Sequence, residues 1–351
     1  SMSRVQRLSG YVLGVLALYL APWWPKIPGI GWLVNTPGTQ FSTVLNDQVI
    51  IFVLVALGLN VVVGLAGLLD LGYVGFYAVG AYVVGVLTSQ HASLPWIVAL
   101  PIAVLVSMLV GVILGTPTLR LRGDYLAIVT LGFGEIIRIS AKNLDWLGAS
   151  RGISDIGKPP SIGPLKFGVL DPKPYYWLGL TLVFLVVFCL YRLEESRVGR
   201  AWTAIREDED AVRSLGKNVY SYKMQSLILG GVVGMFSGMI FALDRGSVQP
   251  DNYSRDVTFY VLTALVLGGV ARVSGSVIGP MMFWGIYVFS DNFLRELTKD
   301  RPFEIFGIGI IQKSQVGPVN YMLIGLGLML LMTFRPQGVF GSKEEMALDG
   351  R

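Results

Sequence analysis

Residues Gly152 to Pro160 read GISDIGKPP, and their glycines and lysine keep the G-x-x-x-x-G-K spacing with which a loop cradles phosphate. The position that must offer a hydroxyl to magnesium is Pro159. Together with Pro160 it denies the loop a following helix whose N-terminus would hold the phosphate. The match is spurious, so ATP hydrolysis must come from a partner. No clustered His, Asp and Cys set offers a nucleophile with its base, or a metal site. His91 stands in a short polar loop, and the single cysteine, Cys189, lies in an apolar run, which leaves no internal disulfide and no cysteine zinc cluster. No catalytic residue and no metal ligand is assigned.

What remains is polarity set among apolar residues, and each such side chain is a site hypothesis because it is costly in lipid. Asn60 lies deep in an apolar run and is a candidate for a translocation path, with an interhelical hydrogen bond as the competing role. Asp70 follows at the end of that run, within LLDLGY; it is a second path candidate, or the cap of a helix starting near Leu71. Glu135 and Arg138 are three apart and can pair with each other near a membrane face. Tyr73, Phe76 and Tyr77 are interleaved with glycines, a pattern read as tight packing with a gate formed by the aromatics. Gly230, Gly234 and Gly238 are four apart, the small-xxx-small spacing that lets two helix backbones approach closely.

The elements that must carry these residues follow from composition. In 351 residues, 53% are hydrophobic, 15% are charged and 43 are glycine. A soluble domain has about a quarter of its residues charged, so the chain is an integral membrane protein. Its net charge of +5 is spread over loops and tails rather than one face, which fits membrane flanks and not nucleic-acid binding. Crossings of about 20 apolar residues are found from Gly10 to Trp24, Gln48 to Leu69, Leu71 to Leu87, Pro95 to Gly115, Tyr125 to Ile139, Tyr175 to Leu193, Lys223 to Leu243, Val257 to Val270, Ser276 to Ser290 and Asn320 to Phe334. Several are short for a straight span, so tilted, broken or re-entrant pieces are expected. The first, after Arg4 and Arg7, has no A-x-A cleavage site after Ala21 and is read as retained. The expected fold is all-α: one polytopic transmembrane helix bundle of about ten spans over residues 1–351. Arginines in the short loops favour a cytoplasmic side for both termini, the 118–124 loop, the 194–222 loop, Arg272 and the tail 335–351, with 140–174 and 291–318 external.

One loop stands out. Gly199 to Asn218 reads GRAWTAIREDEDAVRSLGKN, a dense run of charge between two spans. Trp202, Ile205, Val212 and Leu215 recur at helical spacing, with Arg206, Glu207, Glu209, Asp210 and Arg213 on the remaining face, and Gly216 is suited to a left-handed C-terminal residue. The pattern predicts a short amphipathic helix along the membrane's inner face. It is either a solvated connector or a docking helix with Trp202 and Ile205 as anchors in a partner's groove.

Five segments in order resemble the LivM-type permease subunit of branched-chain amino-acid ABC importers: Gly58 to Tyr82, Leu119 to Arg138, Gly199 to Lys223, Val266 to Pro280 and FRPQGVFG from Phe334 to Gly341. The resemblance implies a permease subunit in a bacterial inner membrane. Its implied partners are a second, homologous permease subunit, two cytoplasmic ATP-binding subunits holding ATP and magnesium, an external substrate-binding protein and membrane lipid. It implies no cofactor in this chain. It further implies that Gly199, Arg200, Trp202, Ile205, Arg206, Glu207, Glu209, Val212 and Arg213 form the coupling helix received by an ATPase subunit, and that the spans rock between inward- and outward-facing states. The implied substrates are branched-chain amino acids, with other amino acids, short amides or urea as alternatives. A secondary transporter fits less well because ion coupling needs buried carboxylates or histidines at mid-membrane, where only Asn60 is plainly deep. Arg245 and Arg255, in DRGSVQPDNYSRD, are open to contact with either the binding protein or a ligand.

Overall fold

The computed structural model describes residues 14–26, 41–121, 123–160, 167–168, 171–298, 303–305, 308–311, 316–334 and 338. Residues 14–19 are helical and run into a 3-10 turn, Ala21–Lys26. Eleven further helices follow among the described residues: α1 (Phe41–Leu65), α2 (Val74–Thr88), α3 (Trp96–Thr118), α4 (Asp124–Asn143), α5 (Lys173–Glu194), α6 (Arg197–Glu207), α7 (Glu209–Ser214), α8 (Val219–Arg245), α9 (Arg255–Gly268), α10 (Val273–Leu297) and α11 (Val316–Phe334). Two small antiparallel pairs complete the chain, β1 (Ile153–Ser154) with β2 (Ser247–Val248) and β3 (Phe303–Ile305) with β4 (Ile308–Ile311).

Among the described residues, five helices, α1, α3, α5, α8 and most of α10, are long and apolar enough to cross a membrane. Burial separates central helices from peripheral ones. The apolar windows of α1 and α8 are 78% and 72% buried, against 28% for α3 and 33% for α5. Helices apolar all round therefore take two environments: α1 and α8 form the core, while α3 turns Ile97, Leu105, Leu109 and Ile113 outward. α8 packs against α1, α2 and α3. The glycines permit this closeness. Gly230 faces the Gly58 carbonyl, an added methyl on Gly234 would crowd the Tyr73 hydroxyl, and one on Gly238 would overlap the Tyr77 carbonyl.

The structure departs from the sequence expectations at several joints. The third expected span does not begin at Leu71: residues 67–73 are irregular, and α2 starts at Val74. This stretch folds back against the middle of α4, where the Leu71 N–H donates to Thr130 Oγ1 (3.1 Å) and Gly72 lies on the Thr130 carbonyl. Irregular backbone at that depth is tolerated where protein covers it, and Leu68, Asp70, Gly72 and Tyr73 are buried while Gly67 and Leu69 are exposed. α1 is wound loosely at both ends, with π-type turns at Leu45–Ile50 and Asn60–Leu65. α10 continues to Leu297, so residues 291–297, expected to be external loop, are helical. The tail 335–351 lies outside the described residues except for Gly338, whose surroundings are Val266 and Gly269.

Candidate functional site

The charged loop is two helices rather than one. Ser196 caps α6, its Oγ accepting from the Val198 and Gly199 N–H groups (3.2 Å each), and Asp208 breaks the run and caps α7 by accepting from Ala211 N–H (2.9 Å). The break removes Leu215 from the expected apolar face and leaves it 79% exposed. Gly216 takes the left-handed conformation (φ 77°). Gly199 must be glycine because a side chain there would strike the Leu193 and Glu194 carbonyls at the end of α5.

Trp202 and Ile205 are buried within their own chain, which overturns their reading as anchors in a partner's groove. Trp202 is 0% exposed and its Nε1 donates to the Tyr222 carbonyl (2.8 Å) at the start of α8. Ile205 packs with Val212 and Val219. Glu209 accepts from Lys223 Nζ (2.6 Å) and Arg213 Nη2 (2.8 Å), so α7 is fastened to α8 as well. The apolar stripe seats the loop on its own bundle, and the face left outward carries Arg200, Thr203, Glu207, Asp210 and Arg213.

Arg206 reaches the other way. Its Nη1 donates to the Gly64 carbonyl (2.8 Å) in the loosened end of α1, and its stem lies over Gly67, whose φ of 70° a side chain would resist. Four residues back along α1, Asn60 Oδ1 accepts from the Ala271 N–H (2.9 Å). Asn60 is 0% exposed, and its bond ties α1 to the turn between α9 and α10. Asp70 is also buried; its Oδ1 accepts from Gly72 N–H (2.9 Å) in the irregular stretch, four residues before α2 begins at Val74, so it does not cap a helix starting near Leu71.

The aromatics divide. Tyr73, with Phe76 beside it, is buried and donates to the Gly230 carbonyl (2.6 Å), cementing α2 to α8. Tyr77 belongs to a cluster with Phe241 and Tyr253, at ring separations of 5.7 and 5.0 Å. Burial beside Tyr77 and Tyr82 pushes the Tyr253 hydroxyl well above its ordinary range, so it stays neutral. The turn carrying Tyr253 is tied to α4 through Asp251, which meets Arg138 and Lys142 at 3.3 Å, while Arg138 also pairs with Glu135 at 2.9 Å.

At this end of the bundle lies a cavity of about 310 Å³, lined by Thr43, Asp47, Gln48 and Arg245 among polar residues and by Phe52, Tyr77 and Phe241 among apolar ones. Asp47 is 8% exposed and forms an ion pair with Arg245, which is 54% exposed and lies 5.8 Å over the Phe241 ring. The span expected from the sequence starts at Gln48 and leaves Asn46 and Asp47 outside it, whereas both lie within α1. The signal is three consecutive polar residues, Asn46 to Gln48, in the first turns of a strongly apolar helix. Arg245 was noted, but its partner is nearly two hundred residues away in the chain. His91 contacts Ser89 (3.0 Å) and Cys189 is exposed on α5. The G-x-x-x-x-G-K segment holds β1 and irregular backbone rather than a loop opening into a helix. A second cavity of about 480 Å³, between α2, α3 and α4, is almost wholly apolar.

Membrane-length helices, with a cavity holding an Asp47–Arg245 ion pair and a charged loop between two of the helices, define a multi-pass α-helical membrane protein. Residues 43–333 match the family model described as branched-chain amino acid transport system / permease component. The high-affinity branched-chain amino acid transport system permease protein LivM of Salmonella typhimurium is 36% identical over 350 residues, covering 94% of this chain and 74% of the relative. A probable LivM of Methanocaldococcus jannaschii is 26% identical over 251 residues (70% and 68%), and the ribose import permease protein RbsC of Haemophilus influenzae is 26% identical over 301 residues (83% and 88%). No solved structure matches. The chain belongs to the permease-component family of branched-chain amino acid transport systems.

Proposed function

We propose that this chain is the membrane-spanning permease subunit of an ATP-driven importer for branched-chain, hydrophobic amino acids. It works with a second permease subunit, two cytoplasmic ATP-binding subunits that supply ATP and magnesium, and an external binding protein, in a bacterial inner membrane with both termini cytoplasmic. The observation that carries the reading is the continuity of α1. One loosened end lines the polar cavity through Asp47, and the other receives Arg206 from the charged loop. π-type turns concentrate at functional sites because they re-aim side chains and shift easily. Motion of α6 and α7, driven by ATP-dependent closure of the partner subunits, then has a direct route to the cavity, and the bundle alternates between inward- and outward-facing states.

Loops that were assigned to one side gather at one end of the bundle. Arg206 meets Gly64, Ala271 meets Asn60, and Gly115, near the end of α3, faces Met224 at the start of α8. α8, with 27 residues, is about 40 Å long at ~1.5 Å per residue, so the cavity beside Arg245 is at the opposite, external end. The ribose permease relative shows that similar chains carry other solutes. Apolar walls of Phe52, Tyr77 and Phe241 favour a hydrophobic side chain over a sugar.

The docking role is tested by reversing exposed charges, Arg200→Glu with Glu207→Arg, in the purified complex. Loss of copurifying ATP-binding subunits, or of substrate-stimulated hydrolysis, is expected, with the permease itself still folded. Full copurification and full stimulation would contradict docking through this face.

A further inference from the structure

The cavity at the head of α1 is divided in a way that bears on what it binds. Its walls are Val44, Phe52, the Tyr77 ring, Phe241 and Val257, and its charged end is Asp47 with Arg245. That end is unusually short of partners. Among its lining atoms, Gln48 Oε1 and Asp47 Oδ1 are buried without a hydrogen-bond partner among the described residues, while Asp47 Oδ2 meets Arg245 and the Asp244 carboxyl lies against Asp47. Buried polar groups left unsatisfied are destabilising, and their concentration at one place in a native fold calls for a ligand or water to complete them. Arg245 has five donors on its guanidinium and a single carboxylate partner among the described residues.

We propose that this cavity is a subsite for a zwitterionic amino acid, with Arg245 receiving the carboxylate and Asp47 the ammonium group, so that the Asp47–Arg245 ion pair opens around the bound molecule. The proposal rests on the permease reading and adds the chemical class of the substrate and the residues that select it. An ammonium group brings three donors to a place rich in unsatisfied acceptors, and a carboxylate matches the planar fork of the arginine. The apolar side chain then lies along Phe52, Tyr77 and Phe241. A cavity of about 310 Å³ is at the small end for ligand sites, which suits a single amino acid. Urea and short neutral amides carry neither charge, and opening the ion pair for them gains no charged partner in return. The subsite therefore discriminates against them.

A purely structural ion pair gives the opposite pattern to mutation. Removing Arg245 strands the buried Asp47 charge, while removing both relieves it. The test uses the complete importer in proteoliposomes with saturating leucine-loaded binding protein, comparing Asp47→Asn, Arg245→Gln and the double variant for uptake of radiolabelled leucine, with copurification of the ATP-binding subunits as the control for assembly. The expected result is that each single variant loses about tenfold or more of its uptake, the loss of one charged hydrogen bond, and that the double variant is no better than either. Where a single variant fails to assemble, the double variant, which leaves no unpaired charge at the pair, carries the comparison. Recovery of the double variant to near wild-type uptake, or unaltered uptake in assembled single variants, would overturn the proposal. Wild-type complex that hydrolyses ATP but takes up no leucine would instead overturn the amino-acid permease reading, and the subsite with it.

Discussion

Trp202 is the largest side chain of the charged loop and contributes nothing to its outer surface. With 0% exposure and a hydrogen bond to the Tyr222 carbonyl, it belongs to the bundle. Trp202→Ala should destabilise the chain by ~3–5 kcal/mol, read as a lower melting midpoint and lower yield of assembled complex, with coupling intact in whatever assembles. Tyr73→Phe removes one buried hydrogen bond, to the Gly230 carbonyl, and keeps the ring. A cost of ~1 kcal/mol is expected in the same melting assay. Asp251 gives the contrasting case. Its ion pairs with Arg138 and Lys142 are 3.3 Å long and its side chain is 68% exposed, so Asp251→Ala should change stability by less than ~1 kcal/mol.

Among the elements, the α6–α7 pair shows what a sequence does and does not reveal. The loop's place between two membrane helices, its glycine boundaries and its helical character were legible because charge density and spacing are local properties. The break at Asp208 was not, since an aspartate within EDED reads as one more charge on a helix face. The signal was there in hindsight: Asp208 followed by Glu209 and Asp210 is a capped, acidic first turn. Asp208→Ala should cost ~1 kcal/mol locally, seen as faster amide hydrogen exchange in residues 209–214 while α8 stays protected. The glycines of α8 were legible as packing positions, and the neighbours they admit, Gly58 and the Tyr73 and Tyr77 region, were not, because partners distant in sequence leave no trace in a single chain. The cavity was hidden for the same reason. Asp47 and Arg245 become a pair only when α1 and α8 are packed together.

For the whole molecule, the composition was enough to define a helical membrane bundle. The uneven use of its helices was not visible in it: α1 and α3 are similarly apolar, yet one is central and the other turns most of its surface outward. Position in the bundle is what gives α1 its role, since it touches the loop at one end and the cavity at the other. The hydrogen bond in that link runs from the Arg206 guanidinium to the Gly64 carbonyl, and Arg206→Ala removes it while Arg200, Thr203, Glu207, Asp210 and Arg213 stay in place on the outward face. The most direct measurement is leucine transported per ATP hydrolysed by the reconstituted complex carrying Arg206→Ala. If α1 transmits the movement of the loop, ATP hydrolysis persists and transport per ATP falls by about tenfold, a coupling loss within the range of ordinary allosteric linkages. An assembled Arg206→Ala complex with the wild-type ratio of leucine to ATP would contradict transmission through α1.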